Sequence, residues 1–165
     1  MRIYIIGGSG VGKTTLARIL EKKYNIKHYE LDKLVYDDNN GYITRSDKEI
    51  DKMFNEIIKE KSWIIEDVGR DNFIKGREMC DKIYYIKLTK LETLKRVILR
   101  WFRQRFGKED YNYPPTLWQF YDMVRCAFIY MNRVSAITES LEPYMDKVIF
   151  LDKSKLKVLI INLKD

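Results

Sequence analysis

Eight consecutive residues near the start of the chain have the types and spacing needed to hold a phosphate group. The pattern G-x-x-x-x-G-K-[S/T] is matched without a departure by Gly7-Gly8-Ser9-Gly10-Val11-Gly12-Lys13-Thr14. Glycines let the backbone approach an anion closely and turn its N–H groups around it. The lysine of this pattern bridges the β- and γ-phosphates, and the hydroxyl that follows ligates Mg²⁺. We therefore predict that this loop, with Thr15, binds ATP and Mg²⁺, and that Lys13 is catalytic.

The residues on either side of the loop predict the elements that hold it in place. Residues 2–6 form the nearly continuous apolar run of a strand that is buried on both faces. From Lys13 to Tyr24, apolar residues recur at helical spacing among charged ones. The order strand, loop, helix aims the N-terminal amides of the helix at the bound phosphate. This context favours a phosphate site over a chance match in a glycine-rich turn.

Two carboxyl groups farther along the chain could complete the site. Glu66, with Asp67 beside it, directly follows the predicted strand 63–65, where an acidic group can hold Mg²⁺ through its water shell. Asp32 ends the second predicted strand, at the sheet edge that also carries the phosphate loop. We predict that Glu66 is a metal ligand and that Asp32 orients or deprotonates an acceptor. The alternatives are that Glu66 and Asp67 merely terminate a strand in a turn, and that Asp32 has a helix-capping or turn role.

A cluster of basic residues lies on a later predicted helix, residues 91–106, which runs into a loop at 107–115. Its arginines are Arg96, Arg100, Arg103 and Arg105. Positive charge brought by a closing segment stabilises phosphoryl transfer, because negative charge spreads over the transferred oxygens. A solvated basic helix face is the alternative. The aromatic side chains that follow could contact a base or a substrate ring, or belong to the core: Tyr111, Tyr113, Trp118, Phe120 and Tyr121.

The remaining periodicities predict an α/β chain with a parallel sheet covered by helices on both faces. Strands are predicted at residues 2–6, 27–31, 63–65, 82–88 and 147–151. Helices are predicted at residues 13–24, 46–61, 91–106, 116–141 and 155–163. Ser46 and Glu49 have the spacing of a capping box at the start of the second helix. The length of 165 residues suits one domain, 1–165.

Composition and charge narrow the possible binding partners and the cellular location of the protein. The net charge of +7 favours anions such as nucleotides, phosphorylated metabolites and nucleic acids. No signal-peptide pattern and no apolar run of the roughly 20 residues that span a bilayer is present, which predicts a cytoplasmic protein without a membrane partner. Cys80 and Cys126 are expected to be ordinary buried or half-buried thiols, and His28, the only histidine, to be structural.

The chain resembles the adenylate-kinase-like P-loop proteins, and most closely the DNA topology modulation protein family. The resemblance is carried by the phosphate loop and by Glu30-Leu31-Asp32, Trp63-Ile64-Ile65-Glu66, residues 96–107 and residues 112–116. More broadly, the chain is similar to nucleoside monophosphate and shikimate kinases. The resemblance implies a three-layer P-loop NTPase fold with sheet order 2-3-1-4-5 and a small helical lid at about residues 100–116.

The same resemblance implies roles for further residues. The adenylate kinase pattern Asp-Gly-Phe-Pro-Arg falls on residues 66–70, which makes Arg70 a candidate for binding an anionic group of the acceptor. The lid arginines that close over ATP would be Arg100, Arg103 and Arg105. Residues 152–155 would lie where such kinases place an adenine-contacting loop. Glu66-Asp67 replaces the family's Asp-Gly, and residues 37–61 lack a nucleoside monophosphate signature, so the acceptor stays open.

Three functions are consistent with these residues. The first is an ATP-dependent kinase that phosphorylates a nucleotide, a nucleoside or another small metabolite. The second is a nucleic-acid-associated ATP-binding protein or ATPase linked to DNA topology, suggested by the net charge of +7 and by the mixture of Arg, Lys, Trp and Tyr between Lys95 and Tyr121. The third, a GTPase switch, is disfavoured because it needs an Asn-Lys-x-Asp signature, and the nearest segment is Thr89-Lys90-Leu91-Glu92.

Overall fold

The computed structural model describes residues 1–37, 43–108 and 115–164. Its strands are β1 Arg2–Gly7, β2 His28–Glu30, β3 Tyr36–Asp37, β4 Ile43–Thr44, β5 Trp63–Asp67, β6 Lys82–Ile86 and β7 Val148–Leu151. Its α-helices are α1 Lys13–Tyr24, α2 Leu31–Val35, α3 Asp47–Lys59, α4 Ile74–Met79, α5 Lys90–Arg105, α6 Leu117–Glu139 and α7 Lys153–Lys164. Short 3₁₀ turns lie at Asp71–Phe73 and Glu142–Tyr144. Tyr111, Tyr113 and most of the predicted loop 107–115 lie outside the described residues.

Five parallel strands form the main sheet in the order β2-β5-β1-β6-β7. Counted along the chain, these strands are the five predicted ones, so the expected order 2-3-1-4-5 is confirmed. Strand β1 lies at the centre, where Ile5 pairs with Glu66 of β5 on one side and Tyr84 of β6 on the other. Because all five strands run the same way, their carboxyl ends share one edge, which carries the phosphate loop after Gly7.

The core lies on both faces of the sheet. Side chains of β1 alternate between the faces, as in any strand. Tyr4 and Ile6 pack in one cluster with residues of α3, α6 and the 3₁₀ turn at 71–73, while Ile3 and Ile5 pack in a second cluster with residues of α1 and α7. Strand β1 is therefore apolar almost throughout, since both of its faces are covered. The predicted three-layer α/β fold is confirmed.

Element boundaries differ from the predictions in places that matter for the site. Strand β5 continues to Asp67, so Glu66 and Asp67 lie inside the strand rather than after it, because they pair with Ile5 and Ile6 of β1. Helix α2 begins immediately after β2, which places Asp32 in the first turn of a helix rather than at a strand end. Neither α2 nor α4 was predicted, since each is too short to show a helical period.

Capping residues explain where two of the helices begin. The predicted capping box of Ser46 and Glu49 is present at the start of α3. A second box, which was not predicted, joins Thr89 and Glu92 at the start of α5. The segment 89–92, the nearest one to a guanine-binding signature, therefore has a helix-capping structure. A box of this kind satisfies backbone N–H groups that a helix leaves unpaired in its first turn.

Helices α5 and α6 pack against each other in the region of the predicted helical lid. The ring of Trp101 lies 5.1 Å from that of Phe120, and its indole N–H donates to the Thr116 carbonyl at 3.1 Å. Phe120 thus belongs to this contact, whereas Trp118 and Tyr121 are exposed. Within the described ranges, no helix is both long enough and apolar enough to cross a membrane.

Candidate active site

The phosphate loop leaves β1 at the carboxyl edge of the sheet and leads directly into α1. Gly10 and Gly12 have positive φ angles of 72° and 106°, which favour glycine. Lys13 is 9% exposed, and its Nζ donates a hydrogen bond to the Gly8 carbonyl at 2.9 Å. Burial lowers the pKa of Lys13, while nearby carboxylates, first Glu66 and then Asp32, raise it. The loop therefore concentrates a lysine and helix N-terminal amides where a phosphate group would bind.

One side chain from α5 and one from α6 contact this loop. Arg96 of α5 donates from Nη1 to the carbonyl of Val11. Tyr130 of α6 lies against Gly8, so closely that a Cβ atom at residue 8 would be 2.7 Å from the ring Cδ1. Arg96 was predicted to stabilise the phosphoryl group during transfer, together with the other arginines. No role was predicted for Tyr130. Nothing in the local sequence signals either contact, because both join segments far apart in the chain.

The two predicted metal ligands are adjacent. Thr14 donates from its hydroxyl to Glu66 Oε1 at 2.7 Å, which joins α1 to β5. Glu66 is 6% exposed, and its Oε2 has no hydrogen-bond partner among the described residues. Burial raises the pKa of Glu66, and the charge of Lys13 and the Thr14 hydrogen bond oppose that rise. A hydroxyl beside a buried carboxylate oxygen that lacks a partner is a donor set that fits Mg²⁺.

His28 lies beside this pair, which sequence reasoning did not foresee. Its Nε2 is 3.9 Å from Glu66 Oε1, and burial lowers the pKa of the imidazole. His28, Glu30 and Glu66 each place one potential ligand atom within 4.8 Å of the others. In the sequence, His28 is only the first residue of a short strand. The pairing of β2 with β5 is what brings it near Glu66.

The predicted acceptor residues Asp32 and Arg70 are also brought together. Arg70 contacts the Asp32 carboxylate through Nη2 and donates from Nη1 to Asp67 Oδ1 at 2.6 Å. Asp67 is 2% exposed, and its Oδ2 accepts from the backbone N–H groups of Gly69 and Arg70. Burial lowers the pKa of Arg70, but the charges of Asp67 and Asp32 more than reverse this effect, so the guanidinium stays charged.

Two further arginines support the segment that carries Arg70. Arg77 of α4 is fully buried and donates to the Arg70 carbonyl at 2.7 Å and to Ser140 Oγ at 3.0 Å. Arg133 of α6 lies 3.7 Å from Asp71 and donates to the Gly69 carbonyl at 3.5 Å. Sequence reasoning missed both residues. Arg133 shares the i, i+3 spacing with Tyr130, but this signal is visible only once α6 is known to cover the loop.

The predicted lid arginines do not share one environment. Arg100 is partly buried, and its charge contributes to lowering the pKa of Lys13. Arg103 and Arg105 are exposed, and only Arg103 follows Arg96 and Arg100 along one helix face. Of residues 152–155, only Asp152 precedes α7, and its Oδ1 accepts from the Lys155 backbone N–H at 2.8 Å, while residues 153–155 form the first turn of that helix.

Comparisons with known proteins agree with this architecture. A family model described as "ATPase family associated with various cellular activities (AAA)" matches residues 3–68, from β1 to just past β5. A gluconokinase from Sinorhizobium meliloti 1021 is similar in structure, with a TM-score of 0.55 and 15% identity over 98% of this chain and 87% of that one. A shikimate kinase from Bacteroides thetaiotaomicron has a TM-score of 0.53 and 13% identity over 99% and 96%.

No curated protein matches the chain significantly in sequence. The narrower resemblance to DNA topology modulation proteins therefore stays a prediction. At these identities the structural likeness shows the fold alone, and together with the phosphate loop it shows that the chain has a P-loop kinase-like α/β fold.

Proposed function

We propose that the protein is an ATP-dependent phosphotransferase that moves the γ-phosphate of ATP to a small molecule. One observation carries this proposal. The phosphate loop, with buried Lys13, lies at the same sheet edge as the Asp32–Arg70 pair, and the charge of Asp32 acts on Lys13. The carboxylate of Asp32 and the guanidinium of Arg70 could bind a hydroxyl and an anionic group of an acceptor beside the phosphate site. The kinase names of the two similar structures also support transfer over hydrolysis.

The phosphate side of the site has the groups that phosphoryl transfer needs. Thr14 and Glu66 would hold Mg²⁺, which neutralises phosphate charge when bound. Lys13 places an ammonium group at the loop, and Arg100 adds positive charge from α5. These cations stabilise the negative charge that spreads over the transferred oxygens. The exposed Arg103 follows Arg100 on the same face of α5.

The acceptor side suits a small molecule that carries both a hydroxyl and an anionic group. The Asp32 side chain is 58% exposed, so its carboxylate can accept a proton from a hydroxyl. Arg70 beside it, and Arg133 at 43% exposure, offer cations for a carboxylate or a phosphate. Nucleotides and phosphorylated or acidic metabolites have this combination. The net charge of +7 favours the same class.

The test is an acceptor screen with purified protein and Mg-ATP. The panel contains nucleosides, nucleoside monophosphates, gluconate, shikimate and other hydroxy acids, and ADP release is measured. Lys13→Ala should lose acceptor-dependent release, because it removes the cation of the phosphate loop. Lys22→Ala, which removes an exposed lysine from the same helix, is the matched control and should keep it. A screen with no stimulation above intrinsic hydrolysis would count against a kinase.

A second candidate function, nucleic-acid binding, is favoured by one surface of α5. Phe102 and Phe106 are 46% and 70% exposed, their rings stack at 6.3 Å, and the exposed Arg103 and Arg105 flank them. Aromatic rings beside arginines are typical of single-strand binding surfaces. Binding of oligonucleotides should then weaken steeply with salt. Lack of binding at low salt would exclude this function.

A further inference from the structure

Three side chains gather where β2 and β5 lie side by side. His28 and Glu30 are two residues apart in β2, so they project from the same face of the sheet. Glu30 pairs in register with Glu66 of β5, which projects from that face as well. The ligand atoms of the three residues all lie within 4.8 Å of one another, and His28 Nε2 is 3.9 Å from Glu66 Oε1. Sheet register thus creates a cluster of one imidazole and two carboxylates.

Buried atoms in this cluster lack the partners that burial normally requires. The side chains of His28 and Glu66 are 6% and 7% exposed. His28 Nε2 and Glu66 Oε2 have no hydrogen-bond partner in the part of the chain that the structure describes. Buried polar atoms are almost always paired, and an unpaired one calls for a specific explanation such as an ion. Two such atoms in one small cluster point to a shared partner.

The donor set selects among cations. One imidazole nitrogen and two carboxylates suit Mn²⁺, Fe²⁺, Co²⁺ and Zn²⁺, whereas Mg²⁺ prefers oxygen ligands and keeps its water. Ligand atoms that share an ion at about 2.1 Å can be at most about 4.2 Å apart. The 3.9 Å between His28 Nε2 and Glu66 Oε1 meets this limit. The Glu30 ligand atom lies within 4.8 Å of the other two, so it would have to approach them by at most about 0.6 Å.

We propose that His28, Glu30 and Glu66 form a site for a divalent transition-metal ion that fills without nucleotide. Glu66 Oε1 accepts from Thr14 and also lies 3.9 Å from His28 Nε2, so Glu66 is common to both cation sites. Lys33, whose Nζ is 2.9 Å from Glu30 Oε1, competes for one ligand and keeps the site from binding as tightly as a closed structural site. The proposal shares Glu66 with the proposed kinase site but requires no turnover.

The test uses Mn²⁺ and tag-free protein in the absence of nucleotide. His28 is the only histidine in the chain, so an imidazole nitrogen coupling in the pulsed EPR spectrum of bound Mn²⁺ can come only from it. We expect this coupling in the wild type. His28→Gln should lose this coupling and bind Mn²⁺ at least about tenfold more weakly. Loss of a partner that only supports a metal ligand already weakens metal binding about 10–100-fold, and loss of the ligand itself should cost no less.

Glu56→Gln, which removes an exposed carboxyl group from α3, is the control and should keep both the coupling and the affinity. Mn²⁺ that binds to the wild type without an imidazole coupling, or with equal affinity in His28→Gln, would overturn the proposal. The wild-type spectrum decides the question even if the variant fails to fold. Because no ATP is present, a negative result would leave the acceptor screen, and with it the kinase proposal, untouched.

Discussion

The contact between Gly8 and Tyr130 allows a quantitative test of how helix α6 constrains the phosphate loop. In Gly8→Ala the new Cβ atom would lie 2.7, 2.9 and 3.2 Å from the Cδ1, Cε1 and Cγ atoms of the Tyr130 ring. Contacts below 3.0 Å cannot persist, so either the ring or the loop must shift. Gly8 is not among the residues with positive φ, so alanine itself fits this backbone.

The expected free-energy change follows from two opposing effects. Overpacking of this kind costs about 1–3 kcal/mol of unfolding free energy. Replacing glycine by alanine at a compatible position contributes about 0.4–1 kcal/mol through the unfolded chain. Gly8→Ala should therefore lower the unfolding free energy by about 1.3 kcal/mol in the wild type, within a range of about 0–2.6 kcal/mol. In a Tyr130→Ala background, where the ring is gone, the same change should be neutral or slightly stabilising.

Urea unfolding of the four proteins, without nucleotide, gives this double-mutant cycle. Tyr130→Phe is the control, since it keeps the ring and should keep the full penalty of Gly8→Ala. The Gly8 carbonyl also accepts from Lys13, so ATP binding should weaken in Gly8→Ala and recover with the ring removed. An equal cost of Gly8→Ala in both backgrounds would show that the loop backbone, and not the ring, sets the penalty, and the reasoning would be wrong.

Two further predictions concern titratable groups. Burial raises the pKa of Glu66 above its ordinary 4.5, so the folded state binds this proton more tightly and stability should fall as pH rises above that value. We would measure the unfolding free energies of the wild type and of Glu66→Gln without metal from pH 4 to 8. The wild-type value minus the Glu66→Gln value should fall as pH rises, and a difference that does not change with pH would contradict the raised pKa of Glu66. Cys126 is exposed, contrary to expectation, whereas burial raises the pKa of Cys80 to about 11. A thiol reagent at pH 8 should therefore modify Cys126 quickly and Cys80 only on unfolding. Rapid modification of both cysteines in the folded protein would refute this prediction.

The sequence by itself was sufficient for features that depend on local pattern. The phosphate loop, strand β1 and helix α1 follow from glycine content and periodicity within the first 24 residues. The capping box at Ser46 and the five strands follow from equally short segments. The order of those strands came from a family resemblance and not from the pattern, because periodicity does not say which strands are neighbours.

Tertiary structure alone decided which side chains meet. Thr14 and Glu66 are 52 positions apart, and Arg96 and Val11 are 85 apart, yet each pair is hydrogen-bonded. Such contacts depend on sheet register and on how helices pack across the sheet, which short-range residue preferences do not encode. The same reason explains why His28 beside Glu66 went unforeseen. Local sequence therefore predicted a phosphate-binding loop, and long-range packing determined which residues surround that loop.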